Sequence, residues 1–375
     1  VFSPTSRCLR APRPFSILLF NLAHTMKVSY IQPLDGVRAI AALMVLIFHC
    51  FQITTYHSSL GLFLQKIGFL GQTGVSLFFV LSGFLITRIL IQQKDEPHFI
   101  FNFFIRRALR IFPLYFFYLC LMYFILPTVF EKPSPDFSQQ WYYWFYLQDF
   151  AITFRWPAIG PKHFWSLAIE EHFYLIWPFI ILFNKTKGVV ITISILIIAS
   201  AITRMLLVSN GFETYFFTFA RLDEISLGCL LAVLESKGIL LKWKSNHIAA
   251  LLLVITCIAG ILWFQFSSLA NPIIQVVKYQ FISATYFLAV AWVLTANKQS
   301  MITRFLSSRF LIFTGSISYG IYVYQAIAIE IARAFSIQNN VLFFLCVAIT
   351  CYSIATVSYF FFEKPILNLK SRIIR

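Results

Sequence analysis

Charge is scarce in this sequence: Asp, Glu, Lys and Arg make up 12% of its 375 residues, and only 14 of them are acidic. A water-soluble domain carries about 25% charged residues, so that class is excluded. No stretch reads as a separate soluble catalytic domain. There is no HExxH and no CxxC, and the histidines do not fall at metal-ligand spacing, so no metal is expected. The seven cysteines are scattered, mostly in apolar runs, and read as small buried hydrophobes. A GxSxG nucleophile elbow is missing. The Gly-rich run 315–325 lacks the Lys-Ser/Thr of a phosphate-binding loop.

What is present is apolar: 59% of the chain is hydrophobic and 18% aromatic. Several runs approach the roughly 20 residues that cross a bilayer as a helix. The expected fold is all-α and integral to the membrane, a polytopic bundle of about ten spans. They are placed at 36–56, 70–92, 111–130, 164–183, 188–209, 215–235, 247–266, 276–296, 310–333 and 341–361. The aromatic block 141–156 is too polar at its end for a clean span and reads as an outer interfacial or re-entrant segment.

The net charge of +16 would indicate nucleic acid in a soluble protein. Here the positive-inside rule accounts for it, and no nucleic-acid partner is expected. With a cytoplasmic N-terminus, most Lys and Arg fall on the inner side of these spans, which places both termini in the cytoplasm. The domain reading is a basic segment 1–33, a membrane domain 34–365 and a basic cytoplasmic tail 366–375. Translation is expected to begin at Met26, leaving residues 1–25 outside the protein.

The stretch Leu34–Phe51 carries a charged entry, Asp35 and Arg38, and a histidine, His49. On a helix Arg38 and His49 lie about three turns apart, roughly 16 Å, on a shared face. An ionisable group in a span either hydrogen-bonds a neighbouring helix or does chemistry. Arg106, Arg107 and Arg110 precede the third span at helical spacing. Such a cluster suits phosphate through paired guanidinium hydrogen bonds, or else anchors the chain at the cytoplasmic face. Arg38, at the same face, tilts this toward a phosphate-bearing cytosolic ligand. Span four holds Glu170 and Glu171, each in need of a cation, an imidazole or a hydroxyl. Span six holds Arg221, Asp223 and Glu224, which either pair among themselves or line an acceptor pocket. Tyr319, Tyr322 and Gln325 are candidates for a polar cavity, and Glu363 is a further polar candidate.

In order, LDGVRAIAALMVLIFH, GVSLFFVLSGFLIT, FIRRALRIFPLY, FWSLAIEEHFYLIWP, RLDEISLGCLLA, SISYGIYVYQ and FFEKP resemble the family-3 membrane acyltransferases. The resemblance covers about residues 34–365. It implies an acyl-CoA donor, acetyl-CoA by default, and acylation of a hydroxyl on a cell-envelope glycan or lipid-linked glycan, such as O-antigen or exopolysaccharide. It implies the bacterial inner membrane, an essential Arg38–His49 pair, and contact of Arg107 and Arg110 with the CoA end. Gln325 stands where relatives often have a histidine. On this reading His49 is the general base or transient acyl carrier, oriented by Glu170 or Glu171, and Arg38 and Arg106 join the CoA site. The alternatives are a proton-coupled secondary transporter with His49, Glu171 and Asp223 as relay, and an acyltransferase for a small-molecule acceptor. No motif bears on oligomeric state.

Overall fold

The computed structural model describes residues 30–129, 131, 133–265 and 271–369. The expected start at Met26, nearly all of the basic segment 1–33 and the end of the tail 366–375 lie outside the described residues. Among the described residues all regular structure is helical, and the protein is an all-α, multi-pass membrane protein.

Helix α1 is Pro33–Ile53, with proline in its first turn and Asp35 at the positive end of its dipole. There follow α2 (Ser59–Phe69), α3 (Gly74–Gln93), α4 (Phe99–Cys120), α5 (Phe137–Trp144), α6 (Gln148–Thr153), α7 (Trp165–Phe183) and α8 (Thr186–Ser209). The chain continues as α9 (Thr218–Ser236), α10 (Ser245–Gln265), α11 (Pro272–Thr295), α12 (Met301–Leu306), α13 (Arg309–Ser316), α14 (Ser318–Ala334) and α15 (Asn340–Ser358). Among the described residues eight helical segments are long and apolar enough to cross a membrane. A ninth candidate, α13 with α14, is bent by 72°. At that break Ser316 Oγ donates to Phe313 O, which also accepts from Ile317 N, and Ser318 Oγ donates to Gly315 O.

Two expected spans therefore depart from a plain apolar helix. The 310–333 span is this broken pair. The 215–235 span is α9, which carries Arg221, Asp223, Glu224 and Glu235 and lies buried at the centre of the bundle instead of facing lipid. Its backbone crosses α3 almost in contact. A Cβ on Gly83 would lie 2.0 Å from Ile225 O, and one on Gly228 would lie 2.0 Å from Val80 O. Small residues permit this approach, as membrane helix pairs require. Arg88 on α3 closes the same pair with a two-pronged bond to Glu235 at 2.8 and 3.0 Å.

The third span also starts earlier than expected. Helix α4 begins at Phe99 and runs through Pro113, so Arg106, Arg107 and Arg110 sit on a continuous helix, not on a loop before one. The aromatic block forms the two short helices α5 and α6, neither long enough to cross.

Candidate active site

Arg38 of α1, much of α3 from Val75 to Ile89, α4, α7 and the start of α14 line a cavity of about 230 Å³. Arg38, Arg107 and Arg110 line it at one end. Asp35 accepts from Arg38 Nη1 at 2.7 Å. Arg107 packs over the rings of Phe103 and Tyr174, each 5.8 Å away, while Arg110 is exposed. Glu170 is the carboxylate on this cavity. Tyr174 donates to it at 2.6 Å and accepts from Ser82 Oγ at 2.5 Å, so the wall is a fully bonded polar chain. Tyr319, also on the wall, donates to Ile111 O at 2.9 Å.

At its other end the cavity stops against Ser166 and Tyr322. The Tyr322 hydroxyl donates to His163 O and accepts from Ser166 Oγ at 2.5 Å. Behind this pair stand two imidazoles, His49 and His163, with ring centroids 6.5 Å apart. Carbonyls only accept, so each contact fixes a tautomer. His49 Nδ1 donates to Val45 O at 2.9 Å, leaving Nε2 with its lone pair. His163 Nε2 donates to Val323 O at 3.2 Å, leaving Nδ1 likewise. Gln325 lies beside the His49 ring. Its Nε2 donates to Tyr322 O at 3.0 Å, and its Oε1 is buried without a partner.

His163 was not among the expected residues. It lies on the short turn Lys162–Phe164 that leads into α7, and the aromatic block holds that turn. Gln148 Nε2 donates to Phe164 O at 2.8 Å, and Tyr123 donates to Ile159 O at 2.7 Å. The signal that could have found it is its place directly before the Phe-Trp-Ser of span four. It supplies a second imidazole beside His49 from another element.

The other expected residues divide. Arg106 turns away from the cavity, donating to Gln93 Oε1 at 3.1 Å. Glu171 is off the cavity, with its Oε1 buried and unpartnered, and the imidazole of His49 is oriented by Val45 O, not by either glutamate. Arg221 pairs with Glu224 at 3.1 Å, donates to Ser76 Oγ and lies among the rings of Phe79, Trp165, Tyr215 and Tyr279. Asp223 pairs with Arg204 at 2.5 Å and accepts from Gln280 and Ser283. Each pair holds its own two members, although Nε and Nη1 of both arginines make no hydrogen bond, and neither pair lines the cavity. Glu363 accepts from Ser358 Oγ at 3.2 Å. No group of three metal-ligating side chains occurs among the described residues.

A second cavity, of about 530 Å³, lies at the opposite end of the bundle, where Phe48 and Gln52 of α1 line it with Tyr215 and Trp263. Phe48 precedes His49, and their rings are 5.0 Å apart. The two histidines thus stand between the linings of two cavities.

Residues 31–360 match the sequence family described as an acyltransferase domain, family 3. O-acetyltransferase OatA of Staphylococcus aureus is 29% identical over 362 residues, covering 90% of this chain and 57% of its own length. A protein of Bacillus subtilis named putative peptidoglycan O-acetyltransferase YrhL is 30% identical over 374 residues, covering 90% and 55%. Peptidoglycan O-acetyltransferase OatA of Listeria monocytogenes is 28% identical over 364 residues, covering 90% and 56%. The chain spans a little over half the length of these relatives. No solved structure matches it significantly. With the family match running through nearly every helix that builds the cavity, this chain belongs to the family-3 acyltransferases.

Proposed function

We propose that the protein is a membrane O-acetyltransferase that takes an acyl group, acetyl by default, from cytosolic acyl-CoA and passes it to a hydroxyl of a cell-envelope glycan. The names of the relatives favour peptidoglycan over O-antigen or exopolysaccharide as the first acceptor to try. The observation that carries the reading is the placement of His49 and His163 between an arginine-mouthed cavity and a second cavity at the other end.

The first cavity is smaller than the roughly 300–1,000 Å³ that encloses a drug-sized ligand. It suits a pantetheine arm alone, with the nucleotide left at the mouth, where Arg110, Arg107 and Arg38 meet its phosphates. That end is cytoplasmic on the positive-inside rule, in the bacterial inner membrane. The Ser166–Tyr322 pair closes the arm's end toward the histidines, so the thioester reaches them through this pair. There the Nε2 lone pair of His49 takes the proton of the acceptor hydroxyl as its oxygen bonds the acyl carbon. The C–S bond breaks, and the departing thiolate takes that proton from the imidazolium. Gln325 Oε1, free of other partners, accepts from the ring while it is charged.

The test supplies purified protein in detergent with radiolabelled acetyl-CoA and solubilised peptidoglycan, O-antigen and exopolysaccharide in parallel. Label in an alkali-labile ester on one of them supports the reading. Donor that is neither transferred nor hydrolysed on any acceptor overturns it. The transporter alternative lacks its relay, since Asp223 is committed to Arg204.

A further inference from the structure

We propose that the second cavity seats the acceptor, and that the acceptor presents an anionic group, a carboxylate or a phosphate, to Lys278. This deepens the reading above and rests on it. Lys278 lies on the cavity wall and is only 6% exposed. Among the described residues no carboxylate pairs with its ammonium, whose neighbours are the rings of Trp263 at 5.3 Å and Tyr279 at 5.5 Å. A buried cation without an anion is costly, and ring faces return only part of that cost. Every other buried cation in the bundle core has an acid: Arg221 has Glu224, Arg204 has Asp223 and Arg88 has Glu235. Among the described residues Lys278 is the one buried Lys or Arg without such an acid, and it lines a cavity that can admit an anion from outside.

The rest of the lining fits a sugar that carries such a group. Tyr215, Trp263 and Tyr279 offer flat apolar faces, and Gln52 and Gln72 offer amide groups for hydroxyls. Lys66 and Glu213 also lie on the wall, so the two lysines outnumber the one acid. The volume of about 530 Å³ falls within the range of small-ligand pockets. Phe48, on the same wall, adjoins His49, so that side of the cavity is the one nearest the imidazole.

The experiment measures binding by calorimetry to the full chain in detergent, without acyl-CoA. Three probes are used: N-acetylmuramic acid with its carboxylate, N-acetylglucosamine 1-phosphate, and neutral N-acetylglucosamine. The wild type is expected to bind at least one anionic sugar about tenfold or more tighter than the neutral one. The tighter of the two anionic arms identifies which anion the site takes. K278M should erase the difference and K278R should keep it, and K278Q replaces K278M if the latter does not elute as a folded species. Equal binding of all three sugars by the wild type, or a preference that survives loss of the lysine charge, overturns the proposal. Because no donor is present, these outcomes are independent of the transfer assay that tests the acyltransferase reading.

Discussion

The rings of His49 and His163 face each other edge to face, 6.5 Å apart at 73°, each held by one main-chain carbonyl. A hydrogen bond from one nitrogen to a carbonyl keeps the other nitrogen unprotonated, which is the state a general base needs. His49→Ala is therefore expected to lower transfer by about 10²- to 10⁴-fold, the range for a lost general base. His163→Gln should cost less than His163→Ala, because glutamine can still donate to Val323 O. The rates come from donor-dependent label transfer by protein that remains monodisperse. Wild-type-like transfer by His49→Ala would remove that ring from the mechanism.

On the proposed reading the arginines act on the donor, not on the chemistry. Arg110→Ala is expected to raise the KM for acyl-CoA about tenfold, the worth of one charge-assisted phosphate contact, with kcat changed little. Arg107→Ala should cost more, since Arg107 also packs over Phe103 and Tyr174. Arg106→Ala should leave KM near wild type, because that side chain is engaged with Gln93. A KM indifferent to Arg107 and Arg110 would refute the phosphate role.

How much of this was readable from the residues depends on how local each signal is. Hydropathy located the helices, helical spacing put Arg107 and Arg110 one turn apart, and the positive-inside rule put Arg38 at the same membrane face. It could not say which glutamate matters. Neighbours on a helix point about 100° apart, so only one of Glu170 and Glu171 can face the cavity, and packing chose Glu170. His163 was hidden for another reason. Its turn is fixed by contacts from residues far away in sequence, Gln148, Val323 and Tyr322. The partner of Asp223 was hidden likewise: Arg204 lies 19 residues away on the adjoining helix.

The Arg204–Asp223 pair is fully buried on both sides. Removing one member leaves a charge in the core, and breaking such a pair costs about 3–5 kcal/mol. Arg204→Met should lower thermal stability in detergent sharply, and adding Asp223→Leu should recover most of the loss. A double variant no better than the single one would mean that Gln280 and Ser283 already satisfy Asp223.

Gly83 and Gly228 test the close crossing of α3 and α9. Either residue as alanine drives a methyl into a carbonyl oxygen 2.0 Å away, so the helices must part. Overpacking of this kind costs typically 1–3 kcal/mol. The separation should also loosen the cavity, of which Ser82 and Tyr174 form one wall. Reduced thermal stability together with a raised KM for acyl-CoA is expected from Gly83→Ala. Gly260→Ala, where a Cβ meets nothing within 4 Å, serves as the control and should be neutral in both.

Asp149 gives the protein a pH-dependent stability. It is wholly buried on α6, where Oδ2 accepts from Thr218 Oγ1 at 2.6 Å and Oδ1 has no partner. Burial pushes its carboxyl up to about 7 from 3.8. Folding therefore holds the proton more tightly than the unfolded chain does. Stability from this group is full below about pH 4, falls as the pH rises through the interval to about 7, and is constant above it. Asp149→Asn keeps an oxygen for Thr218 but does not ionise. It should gain on the wild type as the pH rises from 5 to 8, by a few kcal/mol at most. Thermal midpoints of the two proteins measured across that range report the carboxyl together with its coupling to His172, whose Nδ1 lies 3.9 Å from Oδ2. Parallel curves for wild type and Asp149→Asn would show that the buried group does not titrate there.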